Sequence, residues 1–229
     1  MEEPFFLMSV FSPITDVFTT ILTALYSMLE KFGVGSYGLA IIILTVLIKI
    51  ILYPLTKKQV QSMKAMQEIA PKMKKLQEKY KDNPQVLQQK MLQLYQEGGV
   101  NPLAGCLPMF LQMPILMALY YTFFSFDYGG STPSFLWIPN LSETDPNYIL
   151  PLIAAATTFL MQKISTVEMN QQTKIMMFFF PLFMGFISLN LPAGLVLYWA
   201  TQNVVQIFQQ LFIYRNIDAN SEKGTAKND

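Results

Sequence analysis

Apolar residues gather into five long blocks separated by polar stretches of unequal length. Tyr37–Leu55 carries one charge, Lys49, and Pro102–Phe124, Tyr148–Ile164, Ile175–Leu189 and Gly194–Tyr214 carry only Lys163, close to a block end. At 1.5 Å per residue such blocks approach the ~30 Å hydrocarbon core of a bilayer. The pattern predicts an all-α polytopic membrane protein with five transmembrane helices. Ahead of them, within an outer segment 1–36, Val17, Phe18, Ile21, Leu22, Leu25, Met28 and Leu29 recur at steps of three and four. This predicts an amphipathic helix over 14–32, lying in the membrane interface or forming a sixth span.

The segment 56–99 has a different character. Nine lysines (57, 58, 64, 72, 74, 75, 79, 81 and 90) face four acids, Glu68, Glu78, Asp82 and Glu97. Val60, Met63, Met66, Ile69, Met73, Leu76 and Tyr80 keep helical spacing, as do Leu87, Met91, Leu94 and Tyr95 after the Asp82-Asn83-Pro84 turn. Two amphipathic helices folded into a hairpin are expected, with mostly internal contacts and a tendency to move as a unit. The loop 125–147 holds three acids, no lysine or arginine, and an exposed-looking Phe135-Leu136-Trp137-Ile138. A loop over 165–174, a short turn over 190–193 and a disordered polar tail over 215–229 complete the layout. Lysine and arginine favour the cytoplasmic side. That rule places the hairpin, the 165–174 loop and the tail inside, and the amino terminus, the 125–147 loop and the 190–193 turn outside.

Composition narrows the chemistry. Charged residues make up 14% of the 229, against about 25% in a soluble domain. Histidine is absent, which removes imidazole relays, histidine-based triads and most metal sites. The lone cysteine, Cys106, allows no disulfide within the chain and reads as a small buried hydrophobe. Met1-Glu2-Glu3-Pro4 is acidic where a signal peptide is basic, so no cleavable signal is expected.

Lys49 is the most informative side chain. A charge inside a span costs about 2.5–3.5 kcal/mol on insertion scales. Either its stem snorkels to the cytoplasmic interface, or it faces a water-filled cavity with Thr45 one turn earlier on the same face. In the last span Gln202, Gln206 and Gln209 stand at i, i+4 and i+7, with Asn203 beside them and Tyr198-Trp199 one turn before. Amides facing lipid lack partners, so this stripe lines the same cavity or bonds to neighbouring helices, the latter fitting Gln209 and Gln210 best. Gln112 and Gln162 add amides in the second and third spans.

Four stretches resemble one family. They are Ile50-Ile51-Leu52-Tyr53-Pro54-Leu55-Thr56-Lys57 after the intramembrane cation, Val100-Asn101-Pro102-Leu103-Ala104-Gly105-Cys106-Leu107-Pro108, Leu111-Gln112-Met113-Pro114-Ile115 with Ala118-Leu119-Tyr120-Tyr121, and Leu191-Pro192-Ala193-Gly194-Leu195-Val196-Leu197-Tyr198. In this order they resemble the YidC family of membrane protein insertases, over residues 14–214. The resemblance implies a hydrophilic groove enclosed by five spans, closed outside and open to the cytoplasm and to lipid. It also implies residence in a bacterial cell membrane. The family's groove arginine matches Lys49, which keeps the charge without the planar fork. The large external domain of Gram-negative members is not seen, so a compact form is expected.

The expected function is insertion without catalytic chemistry or cofactor. Lys49, Thr45, Gln112, Tyr198, Trp199, Gln202, Asn203 and Gln206 form the substrate groove. The partners are nascent membrane proteins, the ribosome, the Sec translocon and membrane lipid, with no specific nucleic acid. The client's apolar part leaves between the third and fifth spans. A small transporter or channel is the alternative, and an intramembrane enzyme lacks the required side chains.

Overall fold

The structure, a computed structural model, describes residues 3–100, 107–125, 132–165 and 171–225. These form eight α-helices: α1 (Glu3–Lys31), α2 (Tyr37–Ile51), α3 (Tyr53–Lys79), α4 (Pro84–Glu97), α5 (Leu107–Ser125), α6 (Ile149–Ser165), α7 (Gln171–Ser188) and α8 (Ala193–Thr225). The fold is all-helical, with a lone bridge between Phe135 and Ile138 among the described residues. Cys106, the start of the second apolar block and parts of the 125–147 and 165–174 loops lie outside them.

Each boundary has a local cause. Ser36 caps α2 by accepting from Leu39 N at 3.4 Å. The helix expected to continue to Leu55 instead ends at Ile51 and turns by 67° into α3. Pro54 is responsible: it has no N–H to continue the ladder, and its ring crowds the preceding turn. It suits the first turn of α3, where it stands. Asn83 caps α4 through Val86 N at 3.3 Å, and Pro84 occupies that helix's first turn. Gly99, at φ +61°, turns the chain out of the hairpin.

α1 runs well beyond the expected 14–32, from Glu3 and through Pro13. One stripe of it is docked: Phe18 and Leu22 are buried, and Leu25, Tyr26 and Leu29 pack on the same core. The Tyr26 ring stacks on Tyr37 with centroids 3.9 Å apart. Val17, Ile21 and Met28, expected on that stripe, are exposed. The hairpin has its own small core of Ile69, Met73 and Val100, with Met91, Leu94 and Tyr95 against it. It is not self-contained as expected, because α3 also packs along α8. α8 itself continues to Thr225, past the expected end at Tyr214 and into the segment read as disordered. Lys64 holds that extension by an ion pair with Asp218 and by lying 5.7 Å from the centre of the Tyr214 ring.

α8 is the hub, packed by α2, α3 and α6, while α7 packs on α6, and α1 on α2 and α5. Gly185 permits the α6–α7 approach: a Cβ there would lie 2.9 Å from Ala155 Cβ. α5 and α7 share no packed seam among the described residues. Ile175, Phe178, Phe179, Leu182 and Phe186 of α7 are exposed. Among the described residues no single helix is long and apolar enough to cross a membrane; α2 and α3, bent by 67°, reach that length and apolarity only when taken together.

Candidate functional site

The polar residues of α8 divide into two rows, because a helix presents i, i+4 and i+8 on one side and their neighbours about 100° away. Tyr198, Gln202 and Gln206 form the row toward α2 and α5. Lys49 Nζ donates to Gln206 Oε1 at 2.9 Å. Gln209 Nε2 donates to Lys49 O at 3.0 Å, taking up one of the carbonyls left free where α2 ends. Gln112 Nε2 donates to the Tyr198 hydroxyl at 3.0 Å, joining α5 to α8. Gln202 is buried on the same row, between these two bonds.

Lys49 belongs to the last turn of α2, three residues before the bend, rather than to the middle of a longer helix. The interface is therefore close along the chain, yet the ammonium turns inward to an amide. Among the described residues no carboxylate pairs with it. Thr45 is buried on the same helix, but its hydroxyl donates to Ile41 O at 2.7 Å, inside its own helix.

The second row faces α6. Trp199 Nε1 donates to Thr158 Oγ1 at 3.0 Å. Asn203 Nδ2 donates to the same oxygen at 2.9 Å and to Thr157 Oγ1 at 3.3 Å. Further along, Ser165 donates to Gln210 Oε1 at 2.9 Å, and Gln210 Nε2 donates to Ile164 O at 3.4 Å. Trp199 and Asn203, expected in the groove with Lys49, are thus bonded into a seam between the third and fifth apolar blocks. That seam lies where the client's exit was expected. A helix pair tied along its length by buried hydrogen bonds cannot part without leaving several donors unpaired.

Thr157, Thr158 and Ser165 escaped the sequence reading. A threonine in an apolar block satisfies its own hydroxyl by donating to the carbonyl four residues back, as Thr157 does to Ile153 O at 2.8 Å. Their acceptor lone pairs matter here, and the adjacent Thr157-Thr158 pair was the available signal. Three buried amide atoms lack partners among the described residues: Gln59 Nε2, Gln162 Oε1 and Gln209 Oε1. The last belongs to the amide that holds Lys49. A cleft of about 420 Å³, lined by Tyr120, Ser142, Glu143, Thr144, Asn190 and Pro192, lies at the other end of α8 and includes no member of the Lys49 row.

The family model described as 60Kd inner membrane protein matches residues 28–220. The chain belongs to that family. Relatives bearing the name membrane protein insertase YidC include one from Francisella philomiragia subsp. philomiragia, 46% identical over 83% of this chain and 34% of its own length. One from Wolinella succinogenes is 41% identical over 96% and 42%, and one from Geobacter sulfurreducens 44% over 82% and 36%. The chain thus spans well under half the length of these curated relatives. Among solved structures, one titled as an active YidC insertase with its first transmembrane domain resolved aligns with a TM-score of 0.66. It shares 28% identity and covers 87% of this chain and 45% of that one. The YidC resemblance read from the four sequence stretches is therefore borne out.

Proposed function

We propose that the chain is a membrane protein insertase whose groove runs along the Tyr198–Gln202–Gln206 row of α8 and is bounded by α2 and α5. The carrying observation is Lys49: its ammonium turns inward onto Gln206, 2.9 Å away, with no carboxylate beside it among the described residues. A charge held that way is available to a guest. At 4 Å an ion pair is worth about 4 kcal/mol at an effective dielectric of 20, against about 1 kcal/mol in water. Gln202 and the unpartnered Gln209 Oε1 offer further hydrogen bonds, so a client's short polar or acidic flank is hydrated by protein while its apolar part meets lipid. The relatives' printed name supports the same activity.

In this reading α2, α5, α6, α7 and α8 are the five spans of a multi-pass protein of the bacterial cell membrane. The lysine-rich hairpin and the end of α8 are cytoplasmic, and the amino terminus is outside. The α6–α8 seam stays shut. Clients leave between α5 and α7, which share no packed seam among the described residues, past the exposed apolar face of α7. Partition of apolar segments into lipid at about 25 cal/mol per Å² drives release. Nascent membrane proteins are the clients, with the ribosome and the Sec translocon as partners on the hairpin side.

The test is insertion, read by protease protection, of a client series with zero, one and two acids in the translocated flank. Lys49→Arg keeps the whole series. Lys49→Leu costs the two-acid client about tenfold, equivalent to 1.4 kcal/mol, and spares the acid-free client. Lys49→Glu costs the acidic clients more. Equal insertion of every client by the parent and Lys49→Leu would remove the electrostatic groove.

A further inference from the structure

The 132–148 stretch, read from sequence as an exposed loop, is fastened to three helices. Of Phe135-Leu136-Trp137-Ile138 only Leu136 is exposed, and Ile138 and Leu141 lie in the main core. Phe135 covers Gly38 of α2 so closely that a Cβ there would stand 2.1 Å from its Cγ. Leu141 O accepts from Gly194 N at 2.8 Å, and Glu143 O from Ala193 N at 2.7 Å. These are first-turn N–H groups of α8, which no carbonyl of their own helix reaches.

Asp145 ties the third point. It is a buried carboxylate, 3% exposed. Its Oδ2 accepts from Leu150 N, at the start of α6, at 2.7 Å, and its Oδ1 from Asn147 N at 3.0 Å. The Trp137 indole N–H is shared between the two oxygens at 3.2 and 3.3 Å. One side chain thus caps a helix and holds the aromatic that folds the loop back. Leu136 at φ +52° and Tyr148 at φ +57° sit in left-handed backbone that these anchors impose.

We infer that the 132–148 loop is an outer clamp that fixes the ends of α2, α6 and α8 as one frame and seals the groove on that side, with Asp145 as its positioning residue. The inference rests on the insertase reading for its purpose. A frame tied at these three helices confines opening to α5 and α7, and the seal stops the polar row from becoming a through-pore. Asp145 touches no client; it acts through the loop.

The test uses the full chain in intact cells, with Cys106→Ser as background and an impermeant thiol reagent outside. In the parent, Ser134→Cys labels rapidly from outside and Gln202→Cys does not. Adding Asp145→Ala speeds outside labelling of Gln202→Cys at least tenfold and raises the mobility of a spin label at position 134. Gly38→Ala, which displaces Phe135 and leaves the carboxylate intact, does the same and covers the case in which Asp145→Ala fails to fold. A freed loop with Gln202→Cys still protected overturns the seal and leaves the insertase reading standing. A loop that stays rigid in both variants overturns Asp145 as its anchor. Failure of Ser134→Cys to label from outside in the parent overturns the orientation and the clamp together.

Discussion

Thr158→Val isolates the α6–α8 seam. The substitution is nearly isosteric and leaves two donors facing a methyl group: Trp199 Nε1, 3.0 Å from the lost oxygen, and Asn203 Nδ2, 2.9 Å from it. Asn203 retains Thr157 at 3.3 Å, whereas Trp199 loses its partner. Leaving a buried donor unsatisfied costs about 1–3 kcal/mol in soluble proteins. Interhelical bonds in membranes average about 0.6 kcal/mol and reach about 1.7. One orphaned and one weakened donor therefore place Thr158→Val about 1–2 kcal/mol below the parent. Thr158→Ser keeps the oxygen and loses one buried methyl, about 0.8 kcal/mol. Thr157→Val costs less than Thr158→Val, because Asn203 keeps its shorter bond. Pulse proteolysis across a denaturing-detergent series measures all three. Insertion by Thr158→Val at temperatures where it stays folded matches the parent, since the proposed exit lies between α5 and α7. A Thr158→Val stability within about 0.3 kcal/mol of the parent, inside the usual error of additivity, would refute the seam. Selective loss of insertion by a fully folded Thr158→Val would refute the placement of the exit.

Gly185→Val forces a side chain against Ala155, already 2.9 Å from the first atom it would add; overpacking costs about 1–3 kcal/mol, read as a lower melting temperature in detergent. Lys64→Glu frees α3 from the end of α8, and pairing it with Asp218→Lys restores the attachment; hydrogen exchange over α3 rises in the single variant and returns in the double. The effect stays near or below about 1 kcal/mol, since Asp218 is largely exposed.

Local signals were legible and long-range pairings were not. The lysine-rich hairpin, its Asn83-Pro84 turn and the polar stripe of the last helix follow from spacing and side-chain chemistry alone. Spacing cannot say which neighbour each row of a helix meets. Gln202, Asn203 and Gln206 therefore read as one wall, while the fold sends Asn203 to Thr158 and Gln206 to Lys49. Pro54 marked a kink, but the apolar run through Leu55 hid the end of α2. The tail after Tyr214 is polar enough to read as disordered, and a partner 154 positions earlier, Lys64, holds it in the helix. The 125–147 loop misled for a related reason: its aromatics look exposed until Gly38 of α2 makes room for Phe135.

That one helix serves α2, α5 and α6 has a consequence for how the chain itself comes into being. α8 is made after α2, α5 and α6. The bond from Lys49 to Gln206 spans 157 positions, and that from Gln112 to Tyr198 spans 86. At about 5–20 residues per second, roughly 8–30 s of synthesis separate the lysine from its amide. Throughout that interval α2 holds a cation whose eventual partner does not yet exist, and in its last part α6 holds two threonines that also wait for theirs. A newborn copy passes through the condition proposed for its clients, a membrane segment with an unmatched polar group, and under the proposed function an older copy would shelter it until translation ends.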